Sequence, residues 1–410
     1  MSRRWSFAAL AALLGCNGPD ALDGWPARLV IASPSAQTGL TGFGVNLPPA
    51  VRLVDADSNP IAGAKITFTR TQGGGTLTGP VATTDADGVA TLGAWSITAG
   101  ANGLTASIPA PFRVDPVTFA ATGVAPAYNI DLVFLTAVSP GRQAVFDSAA
   151  RHWERLIYGD VPDINLASNP IPPDICFQGQ PGMSGLIDDI LIHVVLDSID
   201  GPGNILGQAS PCFIRSAGKL PLHGVMFFDT ADVALLEAQG AFDEVVLHEM
   251  AHVLGFGTLW RQPPPLNLLQ GSGSADPYFA GLQAIAAFNR LGGTSYTGGN
   301  KVPLENSGGP GTIEFHWRET VFGNELMTGF INLGAPNPLS VLTVAAMGDE
   351  AYLVNYAAAD PYTHAFTTAP VPGGAAPAAP TATIWLGDDI LRLPIHTIDR
   401  VGRVTGVYRP

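Results

Sequence analysis

The sequence predicts a multidomain chain, an all-β sandwich over residues 27–123 followed by a mixed α+β domain over residues 128–368. Three observations carry this. The chain has 410 residues, too many for one small domain. Its first part shows only short β-type runs separated by turn clusters. From Tyr128 onward, strand-like and helix-like segments alternate.

In the first region Ala50-Val51-Arg52-Leu53-Val54 and Lys65-Ile66-Thr67-Phe68-Thr69 read as strands. Asp57-Ser58-Asn59-Pro60, Gly73-Gly74-Gly75 and Asp85-Ala86-Asp87-Gly88 read as the turns between strands of a sandwich. In the second region Asn129–Leu135, Ile190–Leu196 and Gly224–Phe228 read as strands. Gly141–Tyr158 has helical spacing, and Asp229 can cap a helix running to Gln239. Further helices are expected at Phe242–Leu254 and Pro277–Leu291. Residues 369–380, rich in Ala, Pro and Gly, read as a linker. Residues 381–410 hold a strand-like run around Thr383–Leu386 and no assignable chemistry.

Hydrophobic residues make up 46% and charged residues 13%, so packed cores are expected rather than disorder. The formal net charge of −14 argues against a nucleic-acid partner, which needs clustered Lys and Arg. At the start, Arg3 and Arg4 precede an apolar run, Phe7–Leu14, too short to span a bilayer. Residues 1–15 therefore read as an export signal and residues 16–26 as a tether. Leu13-Leu14-Gly15-Cys16 resembles a bacterial lipobox. That resemblance implies an exported protein held to the membrane by a lipid on Cys16; an ordinary signal peptide with an incidental cysteine is the alternative. The remaining cysteines, Cys176 and Cys212, are an even pair for which a disulfide is plausible in an exported protein.

The chemistry centres on His248-Glu249-Met250-Ala251-His252. On a helix, residues four apart share a face, so both imidazoles can reach one zinc ion. Glu249 would lie beside a zinc-activated water and move its proton. With 8 histidines in the chain, the pattern arises by chance in roughly three of a thousand sequences of this composition. A catalytic site needs a third protein ligand. The compact metzincin pattern would place a histidine at position 258, where this chain has Thr258.

Downstream, Phe315-His316-Trp317-Arg318-Glu319 is followed by Gly323-Asn324-Glu325-Leu326-Met327-Thr328-Gly329. Together with Gly255-Phe256-Gly257-Thr258-Leu259-Trp260, this resembles the leishmanolysin-type metallopeptidases. In that family a long insertion separates the second and third histidines. The resemblance implies a metzincin-like fold, His316 as third zinc ligand, and Met327 as the methionine of the turn below the metal. His364 is the rival third ligand, and Glu325, Glu319 and Asp229 are candidates to orient an imidazole.

The first region resembles a bacterial immunoglobulin-like domain of the invasin/intimin type. It does so through Asn59–Phe68, Thr84–Gly88 and the closing Phe119-Ala120-Ala121-Thr122-Gly123. Such a domain implies a surface spacer and favours an outward-facing location. The expectation is a zinc endopeptidase acting on protein or peptide substrates in the exported or extracellular space. A surface adhesin with an inactive metallopeptidase fold, and a zinc hydrolase of non-peptide bonds, are the alternatives.

Overall fold

A computed structural model describes residues 25–261, 266–366 and 383–408. The export signal, Cys16, most of the tether and the expected linker lie outside the described residues. The chain divides into two compact units, Met1–Val124 and Ala125–Pro410.

The first unit is a β-sandwich. One sheet pairs Arg28–Ile31, Ala50–Val54 and Val89–Thr91. The other runs Ala36–Leu40, Val117–Val124, Gly100–Ser107, Lys65–Gln72, Val81–Thr83. Along Val117–Val124, buried Phe119 and Ala121 alternate with exposed Thr118 and Ala120, the period-two pattern of a strand with one face inward. Val51, Leu53, Ile66, Phe68, Trp95 and Leu104 fill the core. The expected turns close through their aspartates: Asp85 Oδ1 accepts from the amides of Asp87 and Val89, and Asp55 Oδ1 from those of Asp57 and Asn59.

The second unit is built on a six-stranded sheet. Its strands are β1 (Ile130–Phe134), β2 (Ile190–Asp197), β3 (Gly207–Arg215), β4 (Pro221–Asp229), β5 (Ile395–Ile398) and β6 (Val404–Tyr408), in the order β1-β2-β4-β3-β5-β6. β1, β2 and β4 run parallel, while β3 is antiparallel to β4 and parallel to β5. The sequence gives no strand signal over much of β3, because Gly207, Ser210 and Pro211 break its apolar pattern. The C-terminal residues, to which the sequence assigned no chemistry, supply β5 and β6 of this sheet.

Helix α1 (Pro140–Leu156) starts where Ser139 Oγ accepts the Arg142 amide with Pro140 in the first turn, and it buries Phe146, Ala149, Trp153 and Leu156. Helix α2 (Thr230–Gln239) is capped by Asp229 and stopped at Gly240, whose φ of 68° suits glycine. Helix α3 (Phe242–Leu254) packs on α1, β3 and β4. It is buried without interruption from His248 to Leu254, so its polar side chains sit inside the protein rather than on a solvent face. The sheet comes very close to it: a Cβ on Gly224 of β4 would lie 2.5 Å from Val253 Cγ1. Trp153 Nε1 donates to the Leu247 carbonyl at 3.1 Å, fixing α1 against α3 one residue before the first histidine.

One expected helix is shorter than its pattern. Tyr278–Phe279 forms a strand between Leu269–Gln270 and Val302–Pro303, and the helix runs only Leu282–Phe288 before a wider turn at Asn289–Gly293. Its start is set from afar, since Asp349 accepts the amides of Gln283 and Ala284. No local window of sequence contains that cap. Cys176 and Cys212 are joined by a disulfide with Cα atoms 5.8 Å apart. It closes a separation of 36 residues, worth about 3–4 kcal/mol in the chain-entropy picture.

Candidate metal centre

Helix α3 presents His248 and His252 from one face, and their Nε2 atoms lie 3.0 Å apart. Gly255 ends the helix at φ 123°, where any Cβ would meet the Glu350 carboxylate at 2.3 Å. The chain then turns back on the helix. Phe256 O faces His252 Nδ1 at 2.8 Å, and Thr258 Oγ1 donates to the His252 carbonyl at 2.8 Å. Thr258 thus closes the last turn of α3 at the position where the compact pattern would have a ligand.

His316 reaches the same point across a separation of 64 residues. Its Nε2 is 3.1 Å from that of His248 and 3.1 Å from that of His252. The residue after it explains how so long an excursion returns. Trp317 is fully buried against Phe256, Trp260, Phe279 and Phe322, with ring centroids 5.2 to 5.9 Å away. Phe256 and Trp260 follow directly on α3, so the apolar cluster that buries Trp317 also delivers His316 to His252. Glu305 fastens the loop: Oε1 accepts the amides of Asn306 and Ser307, and Oε2 that of Glu319.

Met327 is fully buried in the same core, and its backbone ties the centre together. Its carbonyl accepts the Trp317 amide at 2.9 Å, and the Leu326 carbonyl faces His248 Nδ1 at 2.8 Å. Glu325 pins this turn. Oε1 accepts Ser340 N, Ser340 Oγ and Thr343 Oγ1, while Oε2 accepts Met327 N at 2.7 Å. Thr343 Oγ1 in turn receives Trp317 Nε1 at 2.8 Å.

Each ligand-type histidine has Nδ1 against a backbone carbonyl: Leu326 for His248, Phe256 for His252 and Thr312 for His316. A carbonyl only accepts, so Nδ1 carries a proton in each ring, and the three Nε2 atoms face one another. The carboxylates considered as orienting partners do other work. Glu325 holds the Met327 turn, and Asp229 caps α2 while also accepting the amides of Ile199, Asp200 and Gly201. Desolvation pushes Glu319 up to about 7, with a hydrogen bond from Thr328 opposing it.

A fourth group completes the cluster. Asp389 Oδ2 lies 3.0 Å from His316 Nε2, 3.4 Å from that of His248 and 3.9 Å from that of His252. The sequence offered little sign of it beyond two adjacent aspartates, Asp388 and Asp389, between apolar Leu386 and Ile390. Burial lowers His248 and, more strongly, His252, so both imidazoles are neutral, the form that binds metal. At His316 burial is outweighed by the Asp389 carboxylate, and the ring is raised. Burial alone would raise Asp389, but His316 and His248 hold it well below the usual carboxylate range.

Glu249 is fully buried beside this cluster, with neither oxygen hydrogen-bonded within the protein. Gly207 of β3 leaves it room: a Cβ there would lie 3.2 Å from Glu249 Cγ. Burial, then the Asp389 charge, drives its carboxyl well above the ordinary value.

These residues fit a zinc ion. Donors about 2.0–2.1 Å from a tetrahedral zinc stand about 3.3 Å from one another. The imidazole spacings of 3.0 to 3.1 Å are close to that, and a metal cation would take up the converging nitrogen donors. Two other histidines are elsewhere. His223 Nε2 meets His193 Nδ1 at 2.8 Å beneath the disulfide. The rival ligand, His364, stacks on Tyr362 and takes no part in the cluster.

Among the described residues, the second unit thus holds a metal-type centre of three histidines and an aspartate beside a buried glutamate. Residues 167–368 match the family model for leishmanolysin, and residues 49–120 that for the bacterial Ig-like domain (group 1). Over these residues the second unit is thus similar to leishmanolysin, and the first to a bacterial Ig-like domain. No curated protein matches the chain. Solved structures similar to it include the D0-D1 domain of intimin, 14% identical over 25% of this chain and 51% of that one, with a TM-score of 0.20. Invasin, a bacterial integrin-binding protein, is 23% identical over 26% of this chain and 21% of its own, with a TM-score of 0.20. Domains 4 and 5 of the S-layer protein SbsC are 13% identical over 24% of this chain and 46% of theirs, with a TM-score of 0.19. The chain spans about half or less of each of these proteins.

Proposed function

We propose that this chain is a zinc-dependent endopeptidase that hydrolyses peptide bonds in exported or extracellular proteins. The observation that carries the reading is the convergence of three imidazole Nε2 atoms beside a buried glutamate with no hydrogen-bond partner. His248, His252 and His316 would hold the metal, with Nδ1 of each kept protonated by its carbonyl. Zinc at such a site supplies Lewis acidity, polarising an amide carbonyl and acidifying water. Glu249 takes the proton of the attacking water and passes it to the leaving amine. The Leu326-Met327 turn fixes His248 and the Trp317 backbone, so two of the three imidazoles keep their spacing while substrate enters and leaves.

The reading extends to location. Export on the N-terminal signal and lipidation at Cys16 would tether the protein to a membrane, with the Ig-like unit as spacer between anchor and enzyme. The enzymatic claim is tested by incubating an unfolded protein substrate with the full-length chain and with its Asp389→Ala variant. Cleavage by at least one of them, abolished by a chelator and restored by added zinc, is expected. If neither cleaves in the presence of zinc, the peptidase assignment fails.

A further inference from the structure

The described arrangement leaves no way for a peptide to reach the histidines. His248, Glu249, His252, His316 and Asp389 are all fully buried. The C-terminal segment, which lies beyond the residues matched to the leishmanolysin family, packs against them through Asp389. Thr383–Trp385 pairs antiparallel with Phe330–Asn332, immediately after the Met327 turn. The Leu386 amide donates to the Gly329 carbonyl at 3.2 Å, and Thr312 Oγ1 donates to the Gly387 carbonyl at 3.0 Å. The chain then joins β3: Gln208 Nε2 donates to Asp388 O, Ala209 N to Asp389 O, and Leu391 N to Ala209 O.

Two features of this path point the same way. An exposed strand edge is a general means of holding an extended peptide, through main-chain hydrogen bonds. Here the edge of β3 next to Glu249 and the histidines is filled by the protein's own backbone. At the same place Asp389 aims its carboxylate into the histidine cluster, with neither oxygen taken up by a backbone amide or hydroxyl. The three imidazoles and this carboxylate place four ligand atoms within 4.8 Å of one another. Four protein ligands make a closed zinc site, whereas catalysis keeps one position open.

We propose that Asp389 is the fourth ligand of the zinc and that Asp388–Leu391, anchored by Thr383–Gly387 on the strand after the Met327 turn, is a built-in inhibitor occupying the substrate edge of β3. The chain as described is then a resting form, opened when this segment leaves the edge and carries Asp389 with it. The proposal rests on the peptidase reading for its biological meaning, but its ligand claim stands on geometry alone.

The test uses the full-length chain loaded with cobalt(II), beside Asp389→Ala and the shape-conserving Asp389→Asn. The visible spectrum reports the ligand set, acetohydroxamic acid probes an open position, and 1,10-phenanthroline measures the rate of metal removal. The wild-type spectrum is expected to ignore the hydroxamate. Both variants are expected to differ from it, to shift on adding hydroxamate, and to lose metal about tenfold faster or more. A wild-type chain that binds acetohydroxamic acid overturns the proposal, even if neither variant folds. So do variants with unchanged spectra and extraction rates. Peptide cleavage on the same samples separates the two readings. A variant that opens to hydroxamate but cleaves nothing upholds Asp389 as ligand and counts against the peptidase.

Discussion

Replacing Glu249 by alanine is expected to lower turnover by about 10²–10⁴-fold while the chain keeps its zinc. The loss follows from the position of the carboxyl, beside the histidine cluster yet outside the group of metal-ligating atoms. Its only chemical task in the reading above is to move protons between water and the leaving amine. Glu249→Gln, which keeps the shape, should lose as much as Glu249→Ala, because an amide cannot take that proton. Neither Glu249 oxygen has a hydrogen-bond partner, so no bond is broken by either substitution. Stability should therefore hold to within about 1 kcal/mol. The comparison is best made on the Asp389→Ala background, where the site is expected to be open. Steady-state rates on an unfolded protein substrate, with zinc content read in parallel, decide it. Loss of zinc along with activity would make Glu249 a structural residue of the site instead.

The largest loss of stability is expected from Glu325→Ala. The substitution strands Ser340 N, Ser340 Oγ, Thr343 Oγ1 and Met327 N, all inside the core. Each unsatisfied buried donor costs about 1–3 kcal/mol, and partial relaxation leaves a net destabilisation of about 3 kcal/mol or more. The effect should reach the metal. Leu326 O orients His248, and Met327 O holds the Trp317 backbone one residue from His316. Zinc affinity is expected to fall about tenfold or more, as for the loss of groups that orient ligands. Urea unfolding of the metal-free protein and zinc competition with a chelator measure the two effects. A change in stability with no change in affinity would mean that the turn supports the fold but not the centre.

How much of this was legible from residues alone differs by element. Helix α3 could be read to its ends, because an apolar run, a ligand pair at helical spacing and a terminal glycine all agree. Position 258 could be read as an exclusion, though not for what Thr258 does, since its bond to the His252 carbonyl depends on the turn after Gly255. His316 was found through the family pattern. The physical reason it reaches the site, burial of Trp317 against Phe256 and Trp260, is a contact between distant segments that no local window contains. The same holds for the helix capped by Asp349 and for β3, whose Gly, Ser and Pro residues hide a strand completed by its neighbours. Asp389 was invisible for a stronger reason. It stands beyond a low-complexity stretch, carries no motif, and gains its meaning only when Asp388 to Leu391 join β3 beside the histidines.

The central claim is that His248, His252 and His316 hold one zinc ion despite the long separation in sequence. It is tested most directly by the zinc affinity of the full-length chain and of His316→Ala, each equilibrated with a competing chelator. The wild-type chain should bind about one zinc, and His316→Ala should bind it at least about 100-fold more weakly while remaining folded. A folded His316→Ala chain that retains wild-type affinity would contradict the account.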